Sequence, residues 1–80
     1  MNEDFPLREL RRGELARIAA IETDDASLRE QLDDHGFRPG EDIELMAYGP
    51  FGGVPVAVRL GRAMVALRSL EAAAIRVRRA

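Results

Sequence analysis

Apolar and polar residues alternate along five stretches of the chain, which is the pattern of strands with one buried face. The stretches are residues 14–21, 43–48, 54–60, 63–67 and 75–77. In the first of them Ala16 and Ile18 share one face, but Ile21 breaks the alternation. We therefore expect a β-bulge near Ala19 and Ala20, since an extra residue in a strand shifts the direction of the side chains that follow it.

Between the first two stretches, Leu28 and Leu32 lie four residues apart, which is the spacing typical of a helix. This spacing places both side chains on one face of a helix and predicts a helix over about 25–35. A second, shorter helical turn is predicted over about 69–74, just before the last strand.

The beginnings of both helices carry residues that commonly cap them. For the first helix, Ser27 and Glu30 have the spacing of a capping box, while Asp24 or Asp25 can supply the cap instead. For the second, we expect Ser69 to be the N-cap residue. The sequence leaves the choice at the first helix open.

Residues 35–40 combine the end of a helix with a turn into a strand. Gly36 can adopt the left-handed conformation that ends a helix, and Phe37 lies where a hydrophobic contact usually seals such an end. Pro39 and Gly40 then provide a turn. The sequence therefore predicts that the helix ends here and that the following residues form strands.

The chain of 80 residues predicts a single domain over residues 1–80, with residues 1–6 as a loose lead-in. It has no cysteine, so disulfides and thiolate metal sites are excluded. The dipeptide Gly61–Arg62 predicts a tight hairpin between two strands. Short strands joined by glycine-rich turns predict a mainly β fold, a small, partly open barrel of about five strands.

Hydropathy and composition indicate where the protein is located and which classes of partner it does not bind. No stretch approaches the roughly 18–20 apolar residues of a membrane span, and residues 1–4 do not begin a signal peptide. We therefore expect a cytoplasmic protein without direct membrane insertion. Nucleic-acid binding is not expected, because the net charge is −2 and the aromatic residues are only three phenylalanines and one tyrosine.

Catalysis is also not expected. The chain has one histidine and no cysteine, and no nucleophile can be paired with a base. It has no lysine, so it cannot build the phosphate-binding loop of a nucleotide hydrolase.

His35 is the metal-ligand candidate, because Glu30, Asp33 and Asp34 lie near it in the sequence. Helical geometry weakens this interpretation, since the residue that shares a face with His35 is Gln31. A lone histidine lacks the convergent ligands of a closed site. The favoured interpretation is therefore a histidine that caps the last helical turn.

Partner binding has two candidate features. The first is the loop of residues 49–53, in which Pro50 and Phe51 lie between glycines. Phe51 either projects as an aromatic anchor for a partner or folds back to cover a barrel end. The second is a basic patch on the outward faces of the C-terminal strands, or else ordinary solubilising charge. Its arginines are Arg59, Arg68, Arg76 and Arg78.

The order of four motifs resembles the ferrous-iron transport protein A family, FeoA, whose domain is an SH3-like barrel. The motifs span about residue 7 to residue 78, and their order and spacing are more specific than any one of them. They are residues 10–18, residues 28–40, residues 49–56 and residues 66–77. The same barrel is similar to the C-terminal domain of iron-dependent repressors of the diphtheria-toxin-repressor type.

This resemblance implies a small cytosolic accessory protein that acts by protein contact on FeoB, a membrane transporter of ferrous iron. It implies no tightly bound cofactor, with ferrous iron as a weak or transient ligand. The protein would be peripheral to the inner membrane through that partner, and self-association is compatible with the resemblance. The alternative is a transition-metal chaperone or sensor related to the repressor domain.

Overall fold

The computed structural model describes residues 3–80, which form six strands, two α-helices and one 3₁₀ turn. The strands are β1 (Phe5–Pro6), β2 (Leu15–Ile21), β3 (Asp42–Gly49), β4 (Gly53–Leu60), β5 (Ala63–Leu67) and β6 (Ile75–Arg79). The helices are α1 (Ala26–Asp34) and α2 (Ser69–Ala73), and the 3₁₀ turn is Leu7–Glu9. The predicted mainly β class and both predicted helices are confirmed.

The strands form one sheet in the order β1-β6-β2-β3-β4-β5, and all neighbours are antiparallel. The predicted bulge is present, because the register of β2 with β6 shifts between Ile18 and Ala20. The predicted hairpin is present too, with Leu60 opposite Ala63 across the turn. Gly61 has φ 63°, which glycine adopts without a Cβ penalty.

The expected loose lead-in over residues 1–6 is wrong for Phe5 and Pro6, which form β1 against β6. Phe5 packs on the core, and the Arg79 guanidinium carbon lies 4.6 Å from the centre of its ring. Asp4 also joins β6 through an ion pair with Arg76 at 3.0 Å. A two-residue strand is too short to show a period in the sequence. Residues 1–2 of the predicted lead-in lie outside the described residues.

The end of α1 is a hydrogen-bonded cap of the kind predicted at residues 35–40. The N–H of Phe37 donates to the carbonyl of Leu32 at 2.9 Å, and the N–H of Gly36 donates to that of Asp33 at 3.0 Å. Gly36 has φ 91°. These are the two bonds of a Schellman motif, and the buried side chains of Phe37 and Leu32 supply its hydrophobic contact. The N–H of Gly40 then donates to Ile18 on β2 at 2.8 Å.

Asp25 caps the beginning of α1, which decides between the alternatives that the sequence left open. Its Oδ1 accepts the N–H groups of Ser27 at 2.9 Å and Leu28 at 3.2 Å. Among the described residues, no helix is long and apolar enough to cross a membrane.

The core lies between the inner face of the sheet, α1, α2 and the 3₁₀ turn. It consists of fifteen buried apolar residues, and no polar or charged residue in the described part of the chain is fully buried. The core residues are Leu7, Leu10, Ala16, Ile18, Leu32, Phe37, Ile43, Leu45, Val56, Val58, Leu67, Ala72, Ala74, Ile75 and Val77. The outer face of the sheet and the β3–β4 loop are left to solvent.

Candidate interaction surface

Pro50 and Phe51 form the exposed tip of the loop between β3 and β4. The backbone of Phe51 exchanges two hydrogen bonds with Val54, at 3.1 Å and 3.3 Å. Its side chain is 77% exposed, so it projects from the loop and does not cover a barrel end. Gly52 and Gly53, with φ of 67° and 93°, make the tight reversal that presents it.

The side chain of Tyr48 stabilises the base of this loop. Its hydroxyl lies 2.7 Å from the carbonyl oxygen of Arg8 and 2.6 Å from that of Leu10, and can donate its proton to either. Burial raises the pKa of Tyr48 above its ordinary value, while Arg8 opposes the shift and Glu14 reinforces it. The hydroxyl therefore stays protonated at neutral pH and ties β3 to the 3₁₀ turn.

Arg68, and not Ser69 as predicted, is the N-cap residue of α2. The backbone N–H of Arg68 donates to Oε1 of Glu71 at 2.7 Å, and its guanidinium donates to Oε2 at 3.3 Å. Partial burial acts to raise the pKa of Glu71, but the hydrogen bonds and charge of Arg68, with a smaller electrostatic contribution from His35, leave this pKa below its ordinary value. Glu71 accepts this bond because it lies three residues after Arg68, at the N3 position of a capping box.

Leu70, in the first turn of α2, is 76% exposed. It lies at the same end of the sheet as the β3–β4 loop, because β5 ends at Leu67 opposite Val56, near the beginning of β4. Two large apolar side chains, Phe51 and Leu70, are therefore exposed at one end of the molecule. We call residues 50–52 and Leu70 the apolar end.

The four predicted arginines do not form one basic patch. Arg76 and Arg78 lie on β6, which β2 and β3 separate from Arg59 on β4, while Arg68 lies beyond the end of β5. The Nε of Arg78 is buried and has no hydrogen-bond partner among residues 3–80. Alternation along each strand predicts which way a side chain points, but strand order decides which side chains meet.

Three of these arginines also have their charge compensated, since Arg68 pairs with Glu71 at 3.3 Å. Arg59 pairs with Glu44 across β3 and β4. Arg76 pairs with Asp4 at 3.0 Å and with Glu22 at 3.6 Å. All four ion pairs are at least partly exposed, so each contributes little to stability. The charges of Arg59 and Arg76 are therefore directed to carboxylates within the domain.

His35 lies in the C-cap position of α1, as the favoured interpretation predicted. Its ring Nδ1 lies 2.8 Å from the carbonyl oxygen of Gln31, which can only accept, so Nδ1 carries the proton. Asp33, a neighbouring candidate ligand, is paired with Arg38 at 2.9 Å. Residues 3–80 contain no group of three or more His, Asp or Glu side chains that could hold a metal ion. The donors present do not fit a closed metal site.

Replacing His35 with alanine is therefore expected to leave metal binding unchanged. Calorimetric titration of wild type and His35→Ala with ferrous iron under anaerobic conditions should give the same weak heats. The loss of one hydrogen bond to Gln31 should lower the free energy of unfolding by about 1 kcal/mol. A heat of binding that disappears in His35→Ala alone would establish a histidine-dependent site and contradict this expectation.

Three exposed apolar residues, Leu15, Met64 and Leu70, were not singled out from the sequence. Met64 on β5 is 61% exposed, and the alternation of Ala63, Met64 and Val65 already placed it on the outer face. Leu70 carried no such signal, because a helix of five residues shows no period. Its exposure depends on how α2 packs against the 3₁₀ turn and β4.

Comparison with known proteins decides the family. A family model described as the FeoA domain matches residues 5–79. The chain belongs to the FeoA family. This confirms the resemblance drawn from the four motifs, and the match covers nearly the whole chain.

Solved structures of FeoA proteins share this fold. The zinc-complexed FeoA of Stenotrophomonas maltophilia, described as a procaryotic SH3 domain protein, is 32% identical with a TM-score of 0.79, over 91% of this chain and 88% of that one. Iron(II) transport protein A of Clostridium thermocellum is 36% identical with a TM-score of 0.82, over 92% of this chain and 44% of that one. The predicted SH3-like fold is confirmed.

The fold also resembles that of metal-dependent repressors, as expected from the sequence. A manganese-dependent transcriptional repressor matches with a TM-score of 0.89 and 22% identity, over 100% of this chain and 44% of the repressor chain. At this identity the match shows a shared fold alone. A search of curated protein sequences found no match.

Proposed function

We propose that this FeoA domain is a cytosolic, non-catalytic accessory protein of a ferrous-iron uptake system that docks on the cytosolic portion of a FeoB-type transporter. Membership of the FeoA family supports the link to iron transport. The S. maltophilia protein is itself described as a candidate ferrous iron transport activating factor. Through this partner the domain would be peripheral to the inner membrane.

The observation that carries the docking proposal is the exposure of Phe51. An aromatic side chain that is 77% exposed on a braced loop offers a large apolar area to a partner. Aromatic anchors of this kind supply much of the binding energy at interfaces, since they lose little conformational entropy. Pro50 beside it and Leu70 of the apolar end enlarge this contact.

Arg68, which lies at the apolar end, is proposed to add electrostatic attraction at the edge of this contact. Arg59 lies near the opposite end of β4, opposite Met64, and is proposed as a separate charged contact with the same partner. The side chain of Arg68 is 77% exposed, whereas that of Arg59 is 49% exposed and paired with Glu44. Charges at the rim of an interface change association rates more than affinity. Their contribution should therefore weaken with rising salt, while that of Phe51 should not.

The alternative of a metal chaperone or sensor has weaker support. The S. maltophilia FeoA was solved with zinc, and the repressor fold is shared, but the donors described above do not converge. Weak, transient contact with ferrous iron remains compatible with exposed carboxylates. We therefore propose protein contact as the main function.

Replacing Phe51 with alanine is expected to weaken binding to the transporter portion by about ten-fold or more, because truncating an aromatic anchor commonly costs over 1.4 kcal/mol. Isothermal titration calorimetry with the purified cytosolic portion measures this. The matched control is Leu15→Ala, since Leu15 is 57% exposed but lies on β2 outside the apolar end. We expect the control to change the affinity by less than about two-fold.

Two outcomes would count against the proposal. If the wild-type domain shows no binding at millimolar concentration, docking on this partner is wrong. If binding occurs but Phe51→Ala retains it, the contact lies elsewhere on the domain.

A further inference from the structure

The two edges of the sheet are protected very differently. The β1 edge is two residues long and contains Pro6, which has no N–H to offer. The β5 edge is five residues long and contains neither proline nor a charged residue. Within residues 3–80, β5 pairs with β4 alone, and no other backbone hydrogen bond reaches its free side.

The hairpin determines which backbone groups of β5 face outward. Leu60 and Ala63 close a two-residue turn, so they form a hydrogen-bonded pair. In an antiparallel ladder such pairs alternate with pairs whose N–H and C=O groups point away. The outward groups of β5 therefore belong to Met64 and Ala66. They present two donors and two acceptors in the spacing that another strand requires.

The side chains along this edge are exposed and apolar, and its two ends are basic. Ala63, Met64 and Ala66 are exposed. Arg62 lies exposed in the turn before β5 and has no ion pair among the described residues. Arg68 follows the strand and pairs with Glu71 at 3.3 Å, but its side chain stays 77% exposed.

The charges of Arg62 and Arg68 indicate which kind of strand can pair with the free edge of β5. A second copy that pairs with all of β5 around its centre, Val65, places Arg62 opposite Arg68 of the other copy. Like charges directly opposite each other destabilise strand pairing. An extended segment with acidic ends brings carboxylates to both arginines instead.

We propose that the free edge of β5 binds an extended apolar segment with acidic residues at both ends, adding a strand to the sheet. Main-chain hydrogen bonds supply the affinity in this mode of recognition, and the flanking charges supply the specificity. The inference rests on the proposed function, because it names the chemistry of the segment that a protein partner would present. The segment spans about seven residues, the distance from Arg62 to Arg68.

Titration of the ¹⁵N-labelled domain with the blocked heptapeptide Asp-Val-Thr-Val-Thr-Val-Asp tests this. Amide shifts should concentrate in residues 62–68, and the acidic peptide should bind about ten-fold more tightly than Lys-Val-Thr-Val-Thr-Val-Lys. Arg62→Glu should remove or reverse this preference. Arg12→Glu changes the net charge equally at an exposed position near β2, and should leave the preference intact.

Ala66→Pro gives a second test, because it removes an outward donor that the fold does not use. It should abolish binding of the acidic peptide while the amide spectrum stays dispersed. If that variant fails to fold, the charge reversal at Arg62 still decides the question.

Equal binding of the acidic and basic peptides, shifts centred on residues 50–52, or no shifts at millimolar peptide would each overturn the inference. The proposed function is judged separately. Peptide binding without transporter binding would contradict the transporter proposal alone, and the reverse result would contradict the β5 inference alone.

Discussion

Replacing Phe37 with alanine is expected to lower the free energy of unfolding by about 3–5 kcal/mol. Phe37 is 1% exposed and is among the largest fully buried side chains of the described residues. It fills the space between the end of α1 and the sheet, where its removal leaves a cavity that the surrounding backbone bonds keep from collapsing.

This loss is large for a domain of 80 residues, whose total stability is expected to be about 4–12 kcal/mol. The melting temperature of Phe37→Ala should fall by about 12 °C or more. Urea unfolding followed by circular dichroism measures the free energy, and thermal unfolding measures the melting temperature.

Phe51→Ala is the matched control, because it makes the same chemical change at an exposed position. We expect it to alter the free energy of unfolding by less than about 0.5 kcal/mol. Equal destabilisation by Phe37→Ala and Phe51→Ala would contradict the burial on which both predictions depend. The same control shows that lost partner binding in Phe51→Ala does not come from unfolding.

Replacing Gly49 with alanine is expected to open the base of the β3–β4 loop and to cost about 1–3 kcal/mol. A Cβ at this position would overlap the carbonyl group of Val54 and lie 2.6 Å from the nitrogen of Pro55. Both are backbone atoms, so no side-chain rotation relieves the overlap. The paired amides of Phe51 and Val54 should lose protection from hydrogen exchange, and partner binding should weaken with them.

Gly52→Ala is the control for this substitution. A Cβ on Gly52 meets no atom within 4 Å, but its φ of 67° is strained for alanine by about 1 kcal/mol. The protection of Val54 should therefore survive in Gly52→Ala and be lost in Gly49→Ala. If both variants keep this protection, the close approach of β3 and β4 at Gly49 is not a constraint.

The predictions that succeeded rest on local interactions. The cap at Gly36 and Phe37 and the turn at Gly61 involve residues close in sequence, and the bulge near Ala19 shows as a break in the alternation of one strand, so residue type and spacing suffice to predict them. β1 was missed because Phe5 and Pro6 become a strand only through β6, which lies about seventy residues later.

In the candidate site, too, local features could be predicted from the sequence, whereas features that depend on distant segments could not. Phe51 could be named from its place between glycines, but sequence left open whether it was buried or exposed. The structure exposes it, because Gly52 and Gly53 turn the backbone outward and Tyr48 supports the base of the loop. The proposed basic patch failed for the opposite reason, since strand alternation alone does not place residues of β4 beside those of β6.

By itself the sequence determined the family, the strand and helix periods, and the absence of the cysteine and lysine side chains that thiolate metal sites and phosphate-binding loops require. These depend on residue types and on spacings of a few positions. Tertiary structure alone decided that Phe51 and Leu70 share one end, that Arg59 and Arg76 are paired with carboxylates, and that β5 has a free edge. Such features arise from strand order and packing between distant segments, which no local pattern records.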